Sequence, residues 1–194
     1  MKNDNQHRHA SHLYPLFYEV DPDFEADPEL IEAAITAIEK RMEYRRGKNG
    51  AEMAFGLVQK GLAAAHIGDV NHAYECVYWL CRSYWSPAFT AYHDPGAIFN
   101  ADISGGLPAV VIEMLVQSSS EDIFLLPALP EEWPEGKIKG VSARGGFTVD
   151  LEWKDGKPVM AAVTSLAGNN ARINVHEDVY ELELKKGETK TITF

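Results

Sequence analysis

Two hydrophobic periods divide the chain. Up to about residue 117 apolar side chains recur every three or four positions, and after Ser120 they recur every second position. In the first stretch Asp27 is placed to cap a helix, Pro28 suits its first turn, and Glu29 and Glu32 lie at the positive end of its dipole. Ile31, Ala34, Ile38 and Met42 form the apolar stripe, Arg45 and Arg46 occupy the last turn, and Gly47 stops it. A second helix is expected from about Ala51 to Ile67, burying Ala54, Leu57, Val58, Leu62 and Ala65 and ending at Gly68. A third starts at Asp69 and carries Val70, Ala73, Tyr74, Val77, Leu80 and Tyr84. The short Ile67-Gly68-Asp69 link makes these two antiparallel neighbours. Ser86 to Asp102, punctuated by Pro87, Pro95 and Gly96, reads as a loop. The last helix covers about Leu107 to Gln117, with Ala109, Val110, Met114 and Leu115 as its apolar set.

Beyond Ser120, Phe147, Val149, Leu151 and Trp153 alternate with Thr148, Asp150, Glu152 and Lys154, giving one apolar and one polar face. Asp155-Gly156 reads as a tight hairpin turn into Val159, Ala161 and Val163. Tyr180, Leu182 and Leu184 alternate with Glu181, Glu183 and Lys185, and Thr189 to Phe194 closes the chain as another strand. With Ile123 to Leu126 and Ile138 to Ala143, six or seven strands follow, suited to an antiparallel sandwich or sheet. The expected architecture is therefore α+β, with a helical region over 1–119 and a β-domain over 120–194. Four helices and a long loop make a modest core, whereas a toroid of paired helices needs about a dozen. Further helical chain is expected to accompany this one.

Composition narrows the partners. The 194 residues carry 29 acidic and 18 basic side chains, a net charge of -11. Nucleic acids and anionic membrane surfaces are bound through Lys and Arg, so neither is an expected partner. No apolar stretch has the length of a membrane helix, and Met1 to His12 has no apolar core of a signal peptide, which leaves the compartment open. Cys76 and Cys81 sit five positions apart on a helix, turned roughly 140° from each other. They are expected to be small buried residues and not a disulfide.

Three features could carry chemistry. His7, His9 and His12 fall within six residues of the run His7-Arg8-His9-Ala10-Ser11-His12-Leu13-Tyr14. They could hold a metal or simply hydrogen-bond a loop, and no further ligand spacing supports a metal. Asp102 precedes a helix within Phe99-Asn100-Ala101-Asp102-Ile103-Ser104-Gly105-Gly106. It is either a cap or a general base taking a proton from water, beside glycines that let a ligand approach the backbone. The aromatic set Tyr78, Trp79, Tyr84, Trp85, Phe89 and Tyr92, with His93 and Asp94, offers faces for sugar rings. On the helix, Tyr78 and Tyr84 are better read as core. Trp85, Tyr92 and His93 lie in the Pro-punctuated loop, where a ligand contact is the more natural reading.

The order of these segments resembles glycoside hydrolase family 95. Its members carry His-Arg-His-x-Ser-His-Leu-Tyr, matched from His7 to Tyr14, then Gly-Asp-x-x-His-Ala-Tyr, matched by Gly68, Asp69, His72, Ala73 and Tyr74. A Phe-Gln-Ile-Asp-Gly-Asn-Phe-Gly-Gly motif corresponds to Phe99 through Leu107, followed by Glu113-Met114-Leu115 and Leu125 to Pro130. Trp133-Pro134, Gly136, Arg144-Gly145-Gly146-Phe147 and Trp153-Lys154-Asp155-Gly156 match the start of the family's β-domain.

The resemblance implies the last helices of an (α/α)6 toroid followed by a C-terminal β-domain, and inverting hydrolysis of α-linked L-fucose or L-galactose. It places Asp102 at the family's base and Arg8 and His9 at its sugar-contacting pair. The family's general-acid Glu and the asparagines that assist its base precede the first motif and have no counterpart here. Glu52 and Glu113 are poor substitutes for that acid. Ile103, Ser104, Gly105 and Leu107 replace Gly, Asn, Phe and Gly of the base motif, and Ala51-Glu52-Met53 stands where a Trp is expected.

The leading expectation is a glycosidase fragment bearing the base side of a site and inactive alone, needing no cofactor. A carbohydrate is its ligand, and a separately encoded upstream catalytic part or a homo-oligomer is its candidate partner. The alternatives are a non-catalytic carbohydrate-binding scaffold and a self-associating remnant of the same family.

Overall fold

The computed structural model describes residues 7–47 and 53–194. The chain divides into two units, one reaching to Val111 and the other running from Ile112 to Phe194. The first is helical. After a 3-10 turn at Ser11–Leu16 come α1 (Pro22–Ala26), α2 (Pro28–Gly47), α3 (Ala54–His66), α4 (Val70–Ser83) and the beginning of α5 (Asp102–Leu115). Asp27 Oδ1 accepts the Glu29 amide at 2.9 Å, the expected capping contact at the head of α2. Ala34, Ile38 and Met42 are buried along α2, and Arg45 and Arg46 lie in its last turn. The expected start of the second helix at Ala51, and the departure at Ala51 and Glu52, fall outside the described residues.

The α3 helix is the centre of this unit. Leu57, Val58, Ala63, Ala64 and Ala65 are buried, and so are the polar Gln59 and Lys60, so α3 is covered on nearly every side. The α4 helix packs antiparallel beside it after Asp69 caps the turn, accepting the His72 amide. Cys76 is buried as expected, but Cys81 is exposed, because the five-residue offset that prevents a disulfide also turns it to the surface.

The loop from Ser86 to Asp102 has more order than its prolines suggest. Strands β1 (Tyr92–Asp94) and β2 (Ala97–Phe99) form a hairpin, with Tyr92 opposite Phe99 and Asp94 opposite Ala97. The last helix starts at Asp102 and not near Leu107, so Gly105 and Gly106 lie inside it. Gly106 is there for space, since a Cβ on it would stand 2.5 Å from Val58 Cγ2 of α3. The helix also ends at Leu115, because Val116–Ser118 leaves it to become β3, paired with β4 (Asp122–Leu125).

The second unit is a β-domain of two four-stranded sheets. One runs in the order β10-β7-β6-β5, the other in the order β3-β4-β8-β9. Their remaining members are β5 (Gly136–Ala143), β6 (Phe147–Lys154), β7 (Lys157–Ser165), β8 (Ala171–Val175), β9 (Asp178–Leu182) and β10 (Thr189–Thr193). Phe147, Val149, Leu151 and Trp153 of β6 are buried together with Ala161 and Val163 of β7, as the period of two requires. Each such Val or Leu is worth about 1.5–3 kcal/mol when taken fully out of water.

Asp155 and Gly156 both have positive φ, 53° and 74°, the turn geometry expected for their two-residue hairpin. Val159, expected inside, is instead exposed. The register steps from Glu152 opposite Met160 to Trp153 opposite Pro158, and the extra residue, Val159, is turned out at that bulge. The sheet is also not wholly antiparallel. Strand β8 lies parallel to β4, with Asp122 opposite Arg172.

Candidate functional site

The His7–Tyr14 segment is anchored by its apolar members and presents its polar ones. Ala10 and Leu13 are buried, and the Ala10 amide donates to Gln59 Oε1 of α3 at 2.7 Å in a buried hydrogen bond. The His9 ring meets the Phe55 ring of α3 edge-on, with centroids 6.2 Å apart, and Arg8 is exposed. His7 Nδ1 accepts the His9 amide at 3.1 Å, while Arg41 of α2 donates to the His7 carbonyl at 2.6 Å. The His7 and His9 rings lie 5.5 Å apart. No three His, Cys, Asp or Glu side chains among the described residues converge as a metal site. His12 is pushed below its ordinary value, first by burial and then by the positive charges of Arg41 and Lys60.

Asp102 is the first residue of α5 and its carboxylate is exposed. Asn100 holds it twice. Asn100 Nδ2 donates to Asp102 Oδ2 at 2.9 Å, and Asn100 Oδ1 accepts the Asp102 amide at 2.5 Å. The turn is therefore made by the Asn100 side chain, and the Asp102 carboxylate is left outside the capping role. An anionic group in the first helical turn also complements the helix dipole.

The loop residues are joined by backbone bonds. The Tyr92 amide donates to the Tyr84 carbonyl at 2.9 Å, Trp85 bridges to Ala91, and the Asn100 amide donates to the Ala91 carbonyl at 3.1 Å. Trp85, Tyr92, His93 and Asp102 thus belong to one continuous framework. His93 Nδ1 lies 3.0 Å from Asp94 Oδ2, and Trp85, Tyr92 and His93 are all half-buried.

Two large apolar residues of this framework stand in the left-handed region and face solvent. Phe89 has φ 58° and is 83% exposed, and Ile98 has φ 58° and is 68% exposed. Phe99, opposite Tyr92, is 71% exposed. Such conformations are costly for a β-branched or bulky side chain and concentrate where ligands are held.

The helical aromatics behave differently. Tyr84 is fully buried, as expected, but Tyr78 is exposed and covered by the Arg82 guanidinium, 5.6 Å from its ring. Trp79 lies against both Arg45 and Arg82, at 5.2 and 5.9 Å, so these faces are occupied by cations.

The two candidate segments meet on one support. His9 and Ala10 dock on Phe55 and Gln59, Gly106 on Val58, and β1 lies beside α3. No hydrogen bond or ion pair joins Arg8 or His9 to Asp102, Trp85, Tyr92 or His93 among the described residues; their common frame is the N-terminal half of α3. Sequence reasoning missed Gln59 and Asn100, which set the two segments in place. Both left a signal: a polar residue within an apolar helix face, and an Asn two positions ahead of a helical Asp.

Two family models match this chain in succession. The glycosyl hydrolase family 95 catalytic domain matches residues 1–115 and the glycoside hydrolase family 95 C-terminal domain matches residues 117–193. The chain is 37% identical over 166 residues to "Alpha-L-fucosidase 2" of Arabidopsis thaliana, covering 79% of this chain and 18% of that protein. It is 22% identical over 187 residues to "Probable alpha-fucosidase A" of Aspergillus niger, covering 90% of this chain and 23% of that one. The Aspergillus oryzae protein of the same name is 33% identical over 96 residues, 44% of this chain and 13% of that relative. The chain thus spans less than a quarter of the length of the curated relatives it matches. With both models matched in order and the first covering more than half of its residues, the chain belongs to glycoside hydrolase family 95.

Proposed function

We propose that this chain is the base-bearing part of an inverting glycoside hydrolase acting on α-L-fucosyl or related sugars. Its helical region is taken to end, and the β-domain to begin, near 119–120. Asp102 is the general base, taking a proton from the water that attacks the anomeric carbon. Arg8 and His9 hold the sugar, and Trp85, Tyr92 and His93 line its pocket. The proton that the departing oxygen requires comes from the family's upstream catalytic part, which lies outside these 194 residues, and these residues by themselves are inactive on ordinary glycosides.

One observation carries this reading: the Asp102 carboxylate is exposed, oriented by Asn100 and, among the described residues, consumed by neither a cap nor an ion pair. The names of the relatives support α-fucosides as the substrate class. Calorimetric titration with L-fucose tests the binding half. Binding that is lost in Arg8→Ala and His9→Ala and kept in Asp102→Asn supports the assignment, and equal binding by all four proteins contradicts it.

A second reading, a non-catalytic carbohydrate-binding module, draws on the exposed Phe89 and Phe99. It predicts binding that is lost in Trp85→Ala and indifferent to Arg8 and His9.

A further inference from the structure

The Gly68–Tyr74 stretch has no part in the proposed site, yet it carries the most tightly knit charge cluster of the helical unit. His72, on α4, is clasped from both sides. Its Nδ1 lies 2.5 Å from Asp69 Oδ2, and its Nε2 lies 2.5 Å from Glu39 Oε2 of α2. A neutral imidazole has one N–H and can donate to only one of these carboxylates, whereas the imidazolium donates to both. Glu39 is tied onward to Arg46 at 3.1 Å, Arg46 to Glu75 of α4 at 2.6 Å, and Glu75 to the Trp79 indole N–H at 3.2 Å. The cluster therefore crosses between α2 and α4 twice, once through His72 and once through Arg46.

We propose that His72 is a pH-operated staple that fastens α2 to α4 and, through α2, steadies the segment carrying Arg8 and His9. The connection to that segment is Arg41, two residues from Glu39 on α2, which donates to the His7 carbonyl at 2.6 Å. The charges facing His72 are Asp69 at the head of α4, Glu39 of α2 and, farther along α4, Glu75, with Arg46 behind the two glutamates. On α3, His66 Nδ1 lies 2.9 Å from the Leu16 carbonyl oxygen.

The Asp69 hydrogen bond raises His72 above its ordinary value of 6.5, burial opposes that rise, and the Glu39 hydrogen bond adds to it. The sign follows from linkage. A histidine raised in the fold adds its full stability below the unfolded value, and that stability is lost as pH rises through the folded value. The Arg46 crossing does not titrate in this range, so the staple loosens α2 without releasing it.

The test is thermal unfolding of the chain from about pH 5.5 to about pH 8.5, a span bracketing the ordinary histidine value. It is run on the wild type, His72→Gln and Glu39→Gln, with the His72 ring followed by NMR. The wild type is expected to lose about 2–4 °C relative to His72→Gln across the window, on the usual scale for a chain of this size. Glu39→Gln leaves the Asp69 cap and the Arg46–Glu75 pair in place, and is expected to lower the His72 midpoint; it serves alone if His72→Gln does not fold. Amide exchange at His9 and Ala10 is expected to quicken in both variants at the acidic end. Parallel melting curves for the wild type and both variants, or a His72 midpoint at or below 6.5, would overturn the staple. Unchanged exchange at His9 and Ala10 would overturn its reach to the sugar segment. None of these readouts involves sugar, so the proposed enzymatic role and the staple fail separately.

Discussion

Asn100 and Gln59 each hold a candidate segment by a side-chain bond to its backbone, so their removal has separable consequences. Gln59→Leu leaves the Ala10 amide buried without its acceptor. Chemical denaturation is expected to show a loss of about 1–3 kcal/mol, the cost of an orphaned buried donor. Asn100→Ala removes the turn ahead of α5 and is expected to cost about 1 kcal/mol, as for other helix-start side chains. Asn100→Asp keeps the acceptor for the Asp102 amide but removes the donor to Asp102 Oδ2, and is expected to lower α-L-fucosyl fluoride hydrolysis more than stability. Of the proposed site residues, Asp102, Arg8 and His9 were legible through motif order, whereas their supports were not. A motif names the groups that present themselves to a ligand; the residues that hold them are specified by a packing partner 49 positions away, as with Gln59 and Ala10.

At the level of elements, patterning succeeded where one face is buried and failed where a partner strand decided the outcome. The β6 alternation and the Asp155-Gly156 turn were readable because Phe147, Val149, Leu151 and Trp153 enter one core from one face. Val116–Ser118 continues an apolar helical pattern and becomes a strand only because Leu125, Phe124 and Ile123 are there to pair with it. Strand β8 was overlooked although Ala171, Ile173 and Val175 alternate with Arg172 and Asn174; it follows a Gly- and Asn-rich turn and pairs in parallel with distant β4. The bulge at Val159 gives a sharp contrast. Val159→Thr is expected to change stability by less than about 0.5 kcal/mol, as an exposed site. Leu151→Ala, in the same sheet, is expected to cost about 2–5 kcal/mol by leaving a cavity. Equilibrium denaturation of the two variants side by side checks the register directly.

For the whole molecule, two histidines pull its pH dependence in opposite directions. His72, raised by Asp69 and Glu39, contributes stability that is lost as pH rises above 6.5. His12, lowered by burial with Arg41 and Lys60 nearby, is favoured neutral in the fold, so stability is lost as pH falls below 6.5. His12→Gln is expected to lessen the loss of melting temperature on the acidic side while leaving the alkaline side unchanged, and the lowered Glu39 and Glu75 keep an acidic loss of their own. The proposed catalytic role depends equally on what these residues hold and on a proton donor that lies outside them. A carboxylate that deprotonates water meets only half of the requirement for cleaving an acetal, because an alkoxide departs poorly without a proton.

A substrate whose leaving group needs no proton separates the two halves. The decisive measurement is the rate of hydrolysis of α-L-fucosyl fluoride by the chain alone, followed by NMR, beside the methyl α-L-fucoside and the Asp102→Asn variant. A base-bearing half-site is expected to hydrolyse the fluoride to the β-anomer, at a rate roughly 10²–10⁴-fold lower in Asp102→Asn, and to leave the methyl fucoside untouched. Equal fluoride hydrolysis by the two proteins, or cleavage of the methyl fucoside by the chain alone, would contradict it.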